Sequence, residues 1–172
     1  MNTLARPRRA RAVLGTMALL VALALPVGAN ADTTGGGGGS GGLYPTIGQV
    51  RLLAKVVAVV HVTFTCDPLQ SIDWTTGEPF TTTAGVLGYA NASVWQASGR
   101  SVAQGSTSSY GGSAAICDSA TVNAIDINVP TSTVPFKVGS AVVSADLLVT
   151  DANMTSGHSG SAGPVVVKFV TR

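Results

Sequence analysis

The sequence predicts an all-β protein, an antiparallel sandwich of seven or eight short strands with one disulfide. Three observations predict it. Several segments alternate apolar and polar side chains with a period of two. Turn-forming residues recur between those segments. The composition is rich in Val, Thr, Ser, Ala and Gly, only 10% charged, and lacks long stretches of helical periodicity.

The period-two signal is strongest from Ala58 to Cys66. Ala58, Val60, Val62, Phe64 and Cys66 form an apolar face, and His61, Thr63 and Thr65 close the opposite face with polar groups. Half-buried strands have this pattern because successive side chains point to opposite sides of the sheet. From Ala141 to Val149 the odd positions are Ala141, Val143, Ala145, Leu147 and Val149, with Ser144 and Asp146 between them. Ile125, Ile127 and Val129 alternate with Ala124, Asp126 and Asn128. Val165, Val167 and Phe169 alternate with Val166 and Lys168. Ala90, Ala92 and Val94 alternate more weakly with Asn91, Ser93 and Trp95. Weaker strands are expected at 49–54, 101–108 and 113–117. Asp67-Pro68, Thr76-Gly77-Glu78-Pro79, Ser98-Gly99, Gly111-Gly112, Pro130, Gly139 and the Gly/Ser stretch 156–163 are read as turns.

The N-terminus has the three-part order of a secretory signal peptide over residues 1–31. Arg6, Arg8, Arg9 and Arg11 are followed by an apolar run from Ala12 to Leu25, then Pro26, then Val27-Gly28-Ala29-Asn30-Ala31. A membrane span needs about 20 apolar residues, and this run falls short. Ala29 and Ala31 are the small residues that the peptidase takes, so cleavage is expected after Ala31. Residues 32–42, almost all Gly after Thr34, read as a flexible linker. Residues 43–172 are the right length for one domain.

The precursor carries ten basic residues and eight acids. Four of the basic residues leave with the signal, so the exported chain keeps six against eight acids, a net charge of −2. Such sparse charge offers no basic footprint for nucleic acid or for an anionic membrane. The expected location is extracellular, without membrane attachment after cleavage.

The only two cysteines, Cys66 and Cys117, both lie in the exported part. An even count in an oxidising compartment makes a disulfide the default. Cys66 ends the apolar face of its strand, so its sulfur is expected in the core. No C-x-x-C spacing suggests a redox or metal role.

Chemistry-bearing residues are few. His61 lies on the polar side of its strand with Val59 and Thr63 as same-face neighbours, and reads as a surface histidine. His158 lies in Gly157-His158-Ser159-Gly160-Ser161, which lacks the final glycine and the strand-to-helix setting of a nucleophile elbow. Asp151-Ala152-Asn153-Met154-Thr155 starts like a calcium loop, but Ala162 stands where the bidentate Glu belongs. No catalytic set converges, so a non-enzymatic binding or structural module is expected, with no cofactor and no metal.

Tyr89, Asn91 and Trp95 share the odd-numbered face of one strand and are candidate ligand contacts. Exposed rings beside amides and hydroxyls suit a carbohydrate or cell-wall glycan, the ring lying on the apolar face of a pyranose. Two surface aromatics in cross-strand pairs are the plainer alternative. A carrier of a small apolar molecule is the other reading, because Ala58, Ala90, Ala92, Ala141 and Ala145 leave room between the layers or let them approach closely.

Three segments carry a resemblance: Val62-Thr63-Phe64-Thr65-Cys66-Asp67-Pro68, Ser93-Val94-Trp95-Gln96 running into Arg100 to Ser106, and Val134-Pro135-Phe136-Lys137-Val138-Gly139-Ser140-Ala141. On these the chain resembles a group of small secreted actinobacterial proteins of unknown function, over most of residues 50–150. The resemblance implies export and an immunoglobulin-like sandwich, and brings no activity and no catalytic residue. The second cysteine pair of many members is missing, so their later loop is expected to be looser here. The antitumour chromoprotein apoproteins are a more distant likeness in size, export and sandwich type. The tyrosine corner of antibody domains is absent, since Ala115 stands two residues before Cys117.

Overall fold

A computed structural model describes residues 42–170. The signal peptide and nearly all of the linker therefore lie outside the described residues. No helix occurs among the described residues, which form ten strands. They are β1 (Leu43–Leu53), β2 (Val57–Cys66), β3 (Leu69–Ile72), β4 (Pro79–Thr82), β5 (Ala84–Ser98), β6 (Ser101–Tyr110), β7 (Ala114–Ile116), β8 (Asn123–Pro130), β9 (Ser140–Thr150) and β10 (Gly157–Val170).

Hydrogen bonding links most of them into one large sheet in the order β6-β5-β9-β10-β1-β2-β8, with β7 also on β5, while β3 and β4 form a separate hairpin. Within it β10 pairs antiparallel with β9 along most of its length and then parallel with β1 at Val50–Phe169 and Arg51–Val170. The last strand thus joins the β6-β5-β9 half to the β1-β2-β8 half.

The two halves share one apolar interior. Val60, Val62 and Phe64 from β2, Val129 from β8, Val94 from β5, and Val143 and Leu147 from β9 are all buried in it. Ala58, Ala90, Ala92, Ala141 and Ala145 belong to the same cluster. The alternation of β2 and β9 is as the sequence predicts, strictly inward at every second residue. In β5 a register shift between Leu87 and Tyr89 moves the inward side from the odd positions, Gly85 and Leu87, to the even ones, Ala90, Ala92 and Val94.

Two elements depart from the sequence reading. The hairpin of β3 and β4 adds two short strands around the 73–78 turn, where Trp74 is 73% exposed. The Gly/Ser stretch 156–163 is not a turn but the first half of β10, paired residue for residue with β9 from Gly157–Thr150 to Ala162–Ala145. Its glycines have a steric reason. A Cβ on Gly160 would meet the Leu43 carbonyl oxygen and lie 2.8 Å from Pro45 Cδ, so only glycine lets β1 pass over this strand.

Side chains cap part of the exposed edge on the β6–β7 side, at Val102, Gln104 and Ile116. Thr133 Oγ1 accepts from the Gln104 amide at 3.1 Å and donates to the Val102 carbonyl at 2.9 Å. The Gln104 carbonyl accepts from the Ser132 amide at 2.8 Å. On β7, the Asn123 amide group accepts from Ile116 N and donates to Ile116 O, both at 2.9 Å.

Cys66 and Cys117 form the disulfide, both fully buried, with Cα atoms 4.6 Å apart. Cys66 ends β2, and Cys117 follows β7, which pairs with β5. The link therefore ties the two halves of the sheet together across the core.

Candidate functional site

The outer face of β6, β5 and β9 carries the candidate contact residues. Strand register arranges the face in rows: Tyr110–Tyr89–Leu148, Ser108–Asn91–Asp146, Ser106–Ser93–Ser144 and Gln104–Trp95–Val142. Hydroxyls, amides and one carboxylate fill the middle, with aromatic rings at both ends. Tyr89 and Asn91 are half-buried and already engaged. The Tyr89 ring lies 6.0 Å from the Tyr110 ring, a cross-strand aromatic pair, and Asn91 reaches loosely toward Asp146 at 3.5 Å. Asp146 takes its shorter bond, 2.7 Å, from the Ser161 hydroxyl of β10.

Trp95 is different. It is 41% exposed and borders a surface pocket of about 170 Å³ that it shares with Ser93, Gln104, Ser106 and Ser132. Six residues of strand separate it from Tyr89, about 20 Å at ~3.3 Å per residue. The structure therefore does not gather Tyr89, Asn91 and Trp95 into one cluster; it sets Trp95 beside a polar hollow and leaves the tyrosines as a pair at the far end. Position 132 comes from the loop after β8, a neighbour that no periodicity along β5 reveals.

The opposite outer face, on β1, β2 and β8, holds a cluster that sequence reasoning missed. His61 pairs in register with Asp126 of β8, and its Nδ1 lies 2.7 Å from Asp126 Oδ1. Arg51 of β1 donates to Asp126 Oδ2, also at 2.7 Å. His61 has no acid among its neighbours along β2, so its partner is visible only once β2 and β8 are paired. The alternation of Asp126 with Ile125 and Ile127 was the one signal available.

Asp151 is the most buried carboxylate among the described residues, 1% exposed. It accepts from the Ser71 hydroxyl at 2.6 Å, the Thr155 hydroxyl at 2.8 Å and the Ser156 amide at 2.9 Å. Burial pushes its pKa up, but these donors outweigh that and hold it at about 2, below the ordinary 3.8. Its oxygens are thus occupied by the turn it starts and by β3, which accounts for the Asp151–Thr155 segment as a structural knot. Among the described residues no three His, Cys, Asp or Glu side chains gather in a way that would hold a metal ion.

His158 lies in β10, not in a loop, with its Nε2 3.3 Å from the Pro68 carbonyl oxygen. Its ring packs over Gly42, where a Cβ would come within 2.7 Å of it. The segment around it is a paired strand, without the sharp turn that presents a nucleophile. No protein-family model, curated protein or solved structure matches the chain.

Proposed function

We propose that the protein is exported by a signal peptide at residues 1–31 and acts outside the cell as a non-enzymatic binding module. Its contact surface is the outer face of β5 and β6, centred on Trp95, and its ligand is a glycan of the cell wall or another insoluble polysaccharide. The observation that carries this reading is the exposed Trp95 ring beside a hollow lined by Ser93, Gln104, Ser106 and Ser132. An indole offers a flat apolar platform to the C–H face of a sugar ring. The surrounding hydroxyls and amide donate and accept at the ring's edge, as sugar hydroxyls require. A buried disulfide and the sparse charge of residues 32–172 support an oxidising, extracellular setting.

The arrangement of the strands supports an immunoglobulin-like reading of the fold. The first strand pairs antiparallel with the second and parallel with the last, and the disulfide runs from β2 toward the β5 side. We read the chain as akin to the small secreted actinobacterial proteins that it resembles, a reading that adds no activity of its own.

Co-sedimentation with purified peptidoglycan, and in parallel with chitin and cellulose, tests the glycan reading. Wild-type protein is expected in the pellet with at least one of them. Trp95→Ala is expected to weaken retention by up to about tenfold, the equivalent of the ~0.5–1.5 kcal/mol that a stacked aromatic face contributes beyond its buried area. Equal retention of Trp95→Ala, or no retention on any of the three, would remove the proposal.

A further inference from the structure

We infer that copies of this chain stack end to end, the acidic end of one domain on the basic end of the next. Strand register defines the two ends. At the first, Leu43 pairs with Cys66, Phe64 with Asn123 and Gly157 with Thr150. At the second, Leu53 pairs with Val57, Val57 with Pro130 and Lys168 with Ser140. Val86 lies opposite Thr150 and Ser98 opposite Ser101, so β5 and β6 run between the same two ends. The Ser71–Asp151 bond ties the β3–β4 hairpin to the first end.

Charge is divided between these ends. Asp67, Asp73, Glu78 and Asp118 lie in the turns of the first, and residues 67–83, 111–122 and 150–156 hold no lysine or arginine. Lys55, Arg100, Lys137 and Lys168 belong to the second, and residues 53–56, 98–101, 131–140 and 166–170 hold no acid. One segment gathers most of these bases. The Phe136 amide donates to the Lys55 carbonyl, Gln96 holds Lys137, and the Phe169 amide, next to Lys168, donates to Gly139. All four basic residues are exposed. The ion pairs among the described residues, both on Asp126, use none of them. A small net charge conceals this separation. Surfaces shaped only for solubility intersperse the two signs.

Complementarity selects the occupant. An outside anion would satisfy the basic end alone, and an outside cation the acidic end alone. A second copy satisfies both. Each end repels its own kind, so the contact is heterologous, and such contacts close into rings or run on as open chains. Apolar groups stand among the charges at both ends. Trp74, Phe80 and Met154 are exposed at the acidic end, Val56 and Val138 at the basic end. Apolar centres with a polar rim are the usual anatomy of a contact between proteins. Single exposed ion pairs contribute little, so the stack is weak, sensitive to salt and favoured by crowding of copies. Neither end includes Trp95, and the inference stands apart from the glycan reading.

The test is sedimentation velocity of the exported chain over a wide range of protein concentration. It is run in about 0.01 M and about 1 M salt, where charges act over roughly 30 Å and 3 Å. Species larger than a dimer are expected at high protein concentration in the low salt, and monomer alone in the high salt. Arg100→Glu with Lys137→Glu, and separately Asp73→Asn with Glu78→Lys, are expected to stay monomeric with unchanged circular dichroism spectra. Trp95→Ala is expected to grow as the wild type does. Each double variant keeps one intact end and so caps the stack. Added unlabelled to dilute isotope-labelled wild type, the first is expected to shift only basic-end amide signals, those of Arg100 and Lys137 among them. The second is expected to shift only acidic-end signals, those of Thr75 and Glu78 among them. Mass independent of concentration in low salt, growth that stops at a dimer, association that strengthens with salt, or both variants shifting the same signals would overturn the inference. So would monomer throughout with basic-end signals that move only on adding dextran sulfate, which would give that end to an outside polyanion.

Discussion

Asp151 shows how one buried side chain organises its surroundings. Three donors from two parts of the chain, Ser71 in β3 and Thr155 and Ser156 in the turn before β10, converge on its two oxygens. The ionised form is the one they bind, so the pKa falls to about 2. Linkage fixes the sign. A carboxyl depressed on folding adds stability that is complete above the unfolded pKa of ~3.9 and is lost as the pH falls toward the folded value. Thermal midpoints measured between about pH 5 and pH 2 are expected to drop, and Asp151→Asn is expected to lack that part of the slope. The same variant is expected to cost about 1–3 kcal/mol at neutral pH, because an amide cannot accept from all three donors. A slope unchanged by the substitution would assign the acid sensitivity elsewhere. Residue-scale features of this kind were only half legible in the sequence. Asp151 stood out as the first acid of a segment that starts like a calcium loop, but its partner Ser71 lies 80 positions away. His61 and Asp126, 65 positions apart, needed strand register before either had a meaning.

Among the elements, the segment from Thr131 to Gly139 is held more firmly than its lack of regular structure suggests. The Gln96 side chain, almost fully buried, treats it as a neighbouring strand. Its Nε2 donates to the Lys137 carbonyl and its Oε1 accepts from the Lys137 amide, both at 2.7 Å. Phe136 is thereby pressed into the core, edge-on to Phe169 with ring centroids 5.6 Å apart. Gln96→Ala removes both bonds and leaves the partly buried Lys137 amide and carbonyl without their partner. It is expected to cost about 1–3 kcal/mol and to speed hydrogen exchange at Phe136 and Lys137; exchange at the wild-type rate would show that the segment docks by Phe136 alone. Strands β2 and β9 were legible because one side of each is buried along its whole length and composition follows burial. The start of β10 was not. Gly157, Gly160 and Gly163 sit there because backbone of β9 and β1 approaches closely, a tertiary demand that reads as a turn when only composition is seen. The β3–β4 hairpin was hidden for the opposite reason: four-residue strands are too short to display a period.

At the scale of the molecule, the Cys66–Cys117 bond spans 51 positions and links the two halves of the sheet. Closing a loop of that size limits the unfolded chain by roughly 4 kcal/mol in the chain-entropy model, against a total stability of about 5–15 kcal/mol for a domain. Cys66→Ser and Cys117→Ser are each expected to lower the thermal midpoint markedly and by similar amounts, as reduction does; a clear inequality between them would mean that one sulfur matters for another reason. All-β architecture and the bridge were both readable from alternation and cysteine count, whereas the continuity of the large sheet through β10 was not, because pairing order leaves no trace in composition. The capped rim of β6 and β7 has a consequence for life at high concentration. A chain with so few charges cannot rely on mutual repulsion to keep its copies apart. Asn123 and Thr133 instead occupy main-chain groups at Ile116, Val102 and Gln104 that a second molecule would otherwise seize, so at these positions neutral side chains do what lysines do on other edges.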